Sequence, residues 1–183
     1  DLGNHPLHPR DGFADAGDQP GSLRRGSAAC YLDIFHPEIE EFLEIRKAAG
    51  DFNRKSLNLH HGINITDEFM HAVRDDLPFA LKSPKNGETL RTLNARKLWQ
   101  KILETRLQTG EPYLLFSDTA NRQLAPHQQE LGLKVRQSNL CSEILLPTGV
   151  DHLGKARTAV CCLSSVNFET WEQWSQEPRF IED

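Results

Sequence analysis

The sequence predicts an α/β fold in which strands alternate with helices around a parallel sheet. Apolar, strand-like runs occupy Ala28 to Phe35, Leu57 to Ile65 and Tyr113 to Phe116. Between them, apolar residues recur at helical spacing, and Thr66 and Asn94 stand where helix caps belong. Strands separated by helices pair in parallel through crossover connections, which is the basis of the prediction.

Taken in order, residues 1–22 are rich in Asp, Gly and Pro and lack periodicity. They read as a flexible or unrelated N-terminal segment, and residues 23–183 as the domain. After the first strand, Pro37 suits a first helical turn, and Glu38, Glu40 and Glu41 suit its positive end. Ile39, Phe42, Leu43 and Arg46 continue the helical spacing, and Gly50 stops it. Leu57 to Ile65 alternates as a second strand. Thr66 caps a helix over Asp67 to Arg74, with Phe69 and Val73 one turn apart.

Residues 75–88 read as a turn-rich connection. Asn94 caps a longer helix through Thr109, with Leu98, Ile102 and Thr105 as its buried stripe and Gly110 as its end. Tyr113 to Phe116 is a short strand, and residues 121–134 a polar loop. The apolar run around Cys161 and Cys162 reads as a buried strand, with Cys162 packing in the core on the face opposite Cys161. Glu169 to Trp174 opens a final helix or turn, where Trp171 and Trp174 pack.

At 183 residues the chain is long enough for one domain with a real core. A net charge of −5 gives no electrostatic case for nucleic-acid binding. No apolar run approaches the roughly 20 residues of a membrane span, and no signal-like segment opens the chain. The four cysteines include no Cys-x-x-Cys pair, so neither a disulfide framework nor a zinc knuckle is expected. A reducing cytoplasm is the expected setting. His60-His61 carries no metal-ligand spacing and reads as structural.

The chemistry concentrates in Arg136-Gln137-Ser138-Asn139-Leu140-Cys141-Ser142-Glu143-Ile144-Leu145. Asn139, Cys141 and Glu143 fall at alternate positions, which share a face in an extended segment. A short strand or finger-like loop would then present an amide, a thiol and a carboxylate together. Such a trio suits radical or acid/base chemistry. The pattern alone also fits a packing cysteine flanked by surface polar residues.

With this segment stand Arg25-Gly26-Ser27-Ala28-Ala29, His36-Pro37-Glu38-Ile39-Glu40-Glu41-Phe42-Leu43, Gly110-Glu111-Pro112-Tyr113 and the Val160-Cys161-Cys162-Leu163 run. In this order the segments resemble the large (alpha) subunit of class I ribonucleotide reductase. The likeness runs from about Arg24 to Trp174 and covers a middle slice of that much longer subunit. It implies a partial slice of the family's ten-stranded α/β barrel. It implies that Cys141 is the thiyl-radical site, Glu143 the general base and Asn139 the substrate-orienting amide. By the same resemblance Cys161 is one of two redox cysteines, whose partner has no counterpart here. Arg25, Gly26, Ser27 and Ala28 resemble the end of a loop carrying effector information to the substrate site.

The resemblance further implies reduction of ribonucleoside diphosphates to deoxyribonucleoside diphosphates for DNA synthesis. The radical would come from a metal-containing small subunit, with no cofactor bound in this chain. Electrons would come from a dithiol such as thioredoxin or glutaredoxin, and ATP and dNTP effectors would act on a homodimeric full-length form. The slice by itself is expected to be inactive and marginally stable, because an open barrel leaves unpaired strand edges. A non-catalytic remnant or interaction protein retaining the slice is the alternative. A vitamin B12-dependent reductase uses a similar trio; a thiol hydrolase would pair Cys141 with a histidine base, and no histidine of this chain stands in a recognisable base position.

Overall fold

The structure, a computed structural model, describes residues 27–177. Its centre is a parallel sheet of three strands in the order β1 (Ala29–Asp33), β2 (His60–Ile65) and β5 (Tyr113–Phe116). The register sets Tyr31 opposite Gly62, and Gly62 opposite Tyr113. Because side chains alternate across a strand, Cys30, Leu32, His61, Ile63, Ile65 and Leu114 leave one face. Tyr31, Asp33, His60, Gly62, Asn64, Tyr113 and Leu115 leave the other.

Helices cover the first face. The turn-like helix α1 (Ile39–Phe42), α2 (Asp67–Arg74) and α3 (Ala95–Thr109) pack Ile39, Phe42, Phe69, Val73, Leu98 and Ile102 against Ile63 and Ile65. This is the main apolar core. α2 begins where expected: the Thr66 hydroxyl accepts from the Phe69 N–H at 3.2 Å. The Asp118 carboxylate accepts from the Asp67 N–H at 2.7 Å, placing negative charge at the positive helix end. α3 begins with the Asn94 side chain accepting from the Lys97 N–H at 2.9 Å. It ends at Gly110, whose φ of +79° is the left-handed geometry that favours glycine. Its buried residues are Ala95, Leu98, Ile102 and Thr105, so the predicted stripe stands. Thr105 is tolerated there because its hydroxyl donates to the Lys101 carbonyl at 2.9 Å.

Several expectations are corrected. The first helix is shorter than its apolar spacing suggested, and turns replace it beyond Phe42. The connection over residues 75–88 contains β3 (Pro78–Lys82), which pairs antiparallel with β4 (Thr89–Asn94). Phe79 and Leu81 alternate inward and join the core, a period-two signal hidden among turn residues. The polar loop contains a short helix α5 (Pro126–Glu130) and follows α4 (Ser117–Arg122).

The run around Cys161 is neither a strand nor buried. Cys161 and Cys162 are both exposed, as are Val160 and Leu163. The physical reason is pairing: among the described residues no strand lies beside 158–167, and an unpaired extended segment has no ladder to hold it. Cys162 therefore does not pack in a core. Downstream, α6 (Trp171–Trp174) sets Trp171 and Trp174 edge to face at 4.6 Å, with Phe168 stacked on Trp171. A two-stranded hairpin of β6 (Gly149–Val150) and β7 (Ala156–Arg157) precedes the Cys161 run.

Candidate functional site

The second face of the sheet carries the Cys141 segment. Three side chains anchor its approach. Asn121, on α4, donates to the Val135 carbonyl at 3.0 Å and accepts from the Val135 N–H at 2.9 Å. That pair of bonds imitates one rung of a β-ladder. Asn64, on β2, donates to the Arg136 carbonyl and to Asp33, both at 2.9 Å. Tyr31, on β1, bonds through its hydroxyl to Ser138. Val135 also packs with Leu115 and Leu124 in a small apolar cluster beside Tyr31.

Beyond Ser138 the chain turns back on itself. The Asn139 N–H donates to the Ile144 carbonyl at 3.1 Å, and the Asn139 side-chain oxygen accepts from the Ile144 N–H at 3.0 Å. The Ser142 N–H donates to the Asn139 carbonyl at 3.2 Å. Ser142 adopts φ +68°, a conformation that costs energy for a residue bearing a Cβ. The segment is therefore a closed finger-like turn and not an alternating strand. Cys141 and Glu143 are exposed on it, and Asn139 is half-buried at its base. The Asn139 amide nitrogen donates to no group among the described residues, so it is available to a ligand.

The same sheet face presents a floor of His60, Tyr113 and Tyr31. The His60 and Tyr113 rings stack at 6.0 Å and 13°. Burial pushes the Tyr113 phenol up, and negative charge on Glu111, Tyr31 or Cys141 pushes it further. At the edge of this floor, Glu111 gathers both adjacent histidines. Its carboxylate accepts from the His60 ring, and from the His61 ring at 2.9 Å and the His61 N–H at 3.2 Å. Arg46 lies 3.5 Å away. His60 and His61 leave opposite faces, yet both reach Glu111 because it sits just before β5, at the strand ends.

His61 is fully buried, and burial is the main reason its pKa falls to about 4, outweighing the pull of Glu111 toward the charged form. Burial by itself would raise Glu111, but the His60 bond, the His61 N–H and Arg46 hold it below the usual carboxylate range. The neutral His61 ring leaves its Nε2 buried without a partner. Among the described residues no cluster of three or more His, Cys, Asp or Glu side chains is placed to hold a metal ion.

Comparison with known proteins decides the family. The model of the ribonucleotide reductase barrel domain matches residues 7–182. The chain belongs to the ribonucleotide reductase family. A Frog virus 3 (isolate Goorha) protein named for the ribonucleoside-diphosphate reductase large subunit is 55% identical over 156 residues, 85% of this chain and 27% of its own length. The large subunit of Invertebrate iridescent virus 6 is 45% identical over 74% of this chain and 15% of its own length. The class Id ribonucleotide reductase alpha subunit of Actinobacillus ureae superposes with a TM-score of 0.58 at 28% identity, over 81% of this chain and 24% of that one. The chain thus spans about a quarter or less of the length of these relatives. Its parallel sheet with covering helices is a partial slice of the reductase barrel. The family match begins inside the segment 1–22, for which sequence reading found no counterpart.

Within this reductase slice the structure brings Asn139, Cys141 and Glu143 onto one turn, and leaves Cys161 on the exposed run described above. Ser27 is exposed and Ala28 half-buried just before β1, while Arg25 and Gly26 lie outside the described residues, as does the segment 1–22. Cys30 leaves the helix-covered face, packs against the main core, and has its thiol pushed up by burial. Sequence reasoning missed Tyr31, Asn64, Asn121 and Ser138 as anchors, and Glu111 as the partner of His60-His61. Polar residues inside apolar strands were the available signal, since a polar group placed there requires a partner.

Proposed function

We propose that this chain supplies the reactive-thiol turn of a ribonucleoside-diphosphate reductase large subunit, which makes deoxyribonucleoside diphosphates for DNA synthesis. The observation that carries the reading is the closed turn 139–144, which holds an amide, an exposed thiol and an exposed carboxylate together on a sheet-anchored loop. The ribose 2′-carbon is unactivated, so its hydroxyl leaves only after a radical forms next door. A Cys141 thiyl takes the 3′-hydrogen, forming S–H and leaving a carbon radical. Glu143 accepts the 3′-hydroxyl proton while the 2′-hydroxyl departs as water. Two further thiols become a disulfide, supplying two electrons and two protons, one proton leaving with the 2′-oxygen as water and the other going to C2′, and Glu143 returns its proton to the 3′-oxygen. Cys141 then returns its hydrogen to C3′ and the thiyl is restored.

Asn139 fits the orienting role because its side-chain oxygen is committed to Ile144 and its amide protons are left for substrate hydroxyls. Cys161 is assigned as one of the two reducing thiols, and its exposure suits exchange with an external dithiol such as thioredoxin or glutaredoxin. The radical is generated in a metal-containing small subunit, so no residue here is asked to hold the metal. Nucleoside diphosphate, the small subunit, a second copy of the full-length subunit and nucleotide effectors (ATP, dNTP) are the proposed partners, in the cytoplasm. Ser27 and Ala28, with Arg25 and Gly26, are assigned to the loop that relays effector binding.

The test is Cys141→Ser in a full-length large subunit supplied with small subunit and dithiol. Deoxynucleotide formation is expected to vanish while nucleotide binding persists, since an alkoxyl radical is not accessible where a thiyl is. Substantial turnover by the serine variant would overturn the assignment.

A further inference from the structure

We propose that Tyr31 is a positioning residue for the Cys141 turn, and that glycine at position 62 is what admits its ring. The proposal rests on Cys141 being the reacting thiol, although its test does not. Ser138 is buried and has one hydroxyl hydrogen, which it donates to the Asn139 carbonyl at 2.8 Å. The hydrogen between Tyr31 and Ser138 therefore comes from Tyr31. A directed chain results: Tyr31 donates to Ser138, Ser138 donates to the Asn139 carbonyl, and Ser142 donates to that same carbonyl. It runs from the sheet to the two residues that bracket Leu140 and Cys141. Bonds linked this way polarise one another.

The other two anchors act further back, at Val135 and Arg136. Tyr31 grips three residues from the thiol and is the last sheet side chain to hold the loop before it turns. Its ring reaches that point by lying across Gly62. A Cβ built at Gly62 falls 2.7 Å and 2.8 Å from two Tyr31 ring carbons, closer than any real contact. Register leaves the ring little room to move aside, because Gly62 sits between Tyr31 on β1 and Tyr113 on β5. A larger residue at 62 would lift the phenol away from Ser138 without touching the loop itself.

The experiment follows amide exchange in this 183-residue chain, with the β2 amides as an internal reference for the folded sheet. Tyr31→Phe keeps the ring and removes only the hydroxyl. Exchange at Asn139 and Ser142 is expected to rise roughly five-fold, the ratio set by one neutral hydrogen bond, with β2 unchanged. Ser138→Ala is expected to match it, and the double variant to add nothing, because both changes break one chain. Ser138→Thr restores the hydroxyl and is expected to restore slow exchange, which a purely space-filling role would not require. Gly62→Ala is expected to reproduce Tyr31→Phe although the phenol is still present. Unchanged exchange at the turn in Tyr31→Phe, or additive effects in the double variant, would overturn the proposal. In a full-length subunit, normal reductase turnover in Tyr31→Phe despite faster turn exchange would instead count against the reading of Cys141 and leave the positioning of the turn standing.

Discussion

Acid should unfold this domain through His61, and the size of the effect follows from its surroundings. The ring is fully buried, edge-on to Phe42, with Glu111 as the anion beside it and Arg46 and His60 as opposing charges. Its pKa is about 4 in the folded chain, against an ordinary value of 6.5. The folded state thus favours the neutral ring. The stability this represents is present above pH 6.5 and is lost as pH falls toward 4, because the unfolded chain takes up the proton first. Linkage across that gap costs about 2 kcal/mol between pH 7 and pH 5, and about 3 kcal/mol by pH 4. Glu111, held below the usual carboxylate range, acts in the same direction at still lower pH. The assay is urea unfolding followed by circular dichroism at pH 7, 6 and 5. His61→Asn keeps a donor toward Glu111 but cannot titrate, so it should flatten the profile by about 2 kcal/mol relative to the parent. Equal pH dependence in the two proteins would refute the reasoning.

Three other outcomes are expected. Glu111→Gln removes the anion that both histidines and Arg46 face, and should cost roughly 3 kcal/mol of stability in the same unfolding assay. Ile102→Ala opens a cavity under α3, where the residue is fully buried against the sheet, and should cost about 3 kcal/mol. In a full-length subunit, Cys161→Ser should stop multiple turnover yet still allow substrate-dependent radical loss, read by electron paramagnetic resonance; normal multiple turnover would remove Cys161 from the reducing pair.

Local chemistry was legible in the sequence wherever a few neighbouring residues decide the outcome. Thr66 and Asn94 satisfy free helix N–H groups within three residues of themselves, and both helices begin where those caps stand. The stripe of Leu98, Ile102 and Thr105 repeats at helical spacing, and that face is the buried one. The Asn139, Cys141 and Glu143 grouping was visible as a spacing, although the same-face argument assumed an extended chain. Ser142 at φ +68° and the paired bonds between Asn139 and Ile144 replace alternation with a turn, which no period in the sequence announces.

What only the tertiary structure decided depends on partners far away in the chain. The Cys161 run has the composition of a buried strand, but burial needs a neighbour, and no described strand lies beside it. His60 and His61 look like independent residues on opposite faces until Glu111, some fifty residues later, brings a carboxylate to the end of β2. Tyr31 reaches Ser138 across 107 residues, through a gap that exists because Gly62 has no Cβ. Caps and periodicity are short-range free energies and are written locally, whereas buried polar partners and strand neighbours are set only when the sheet assembles.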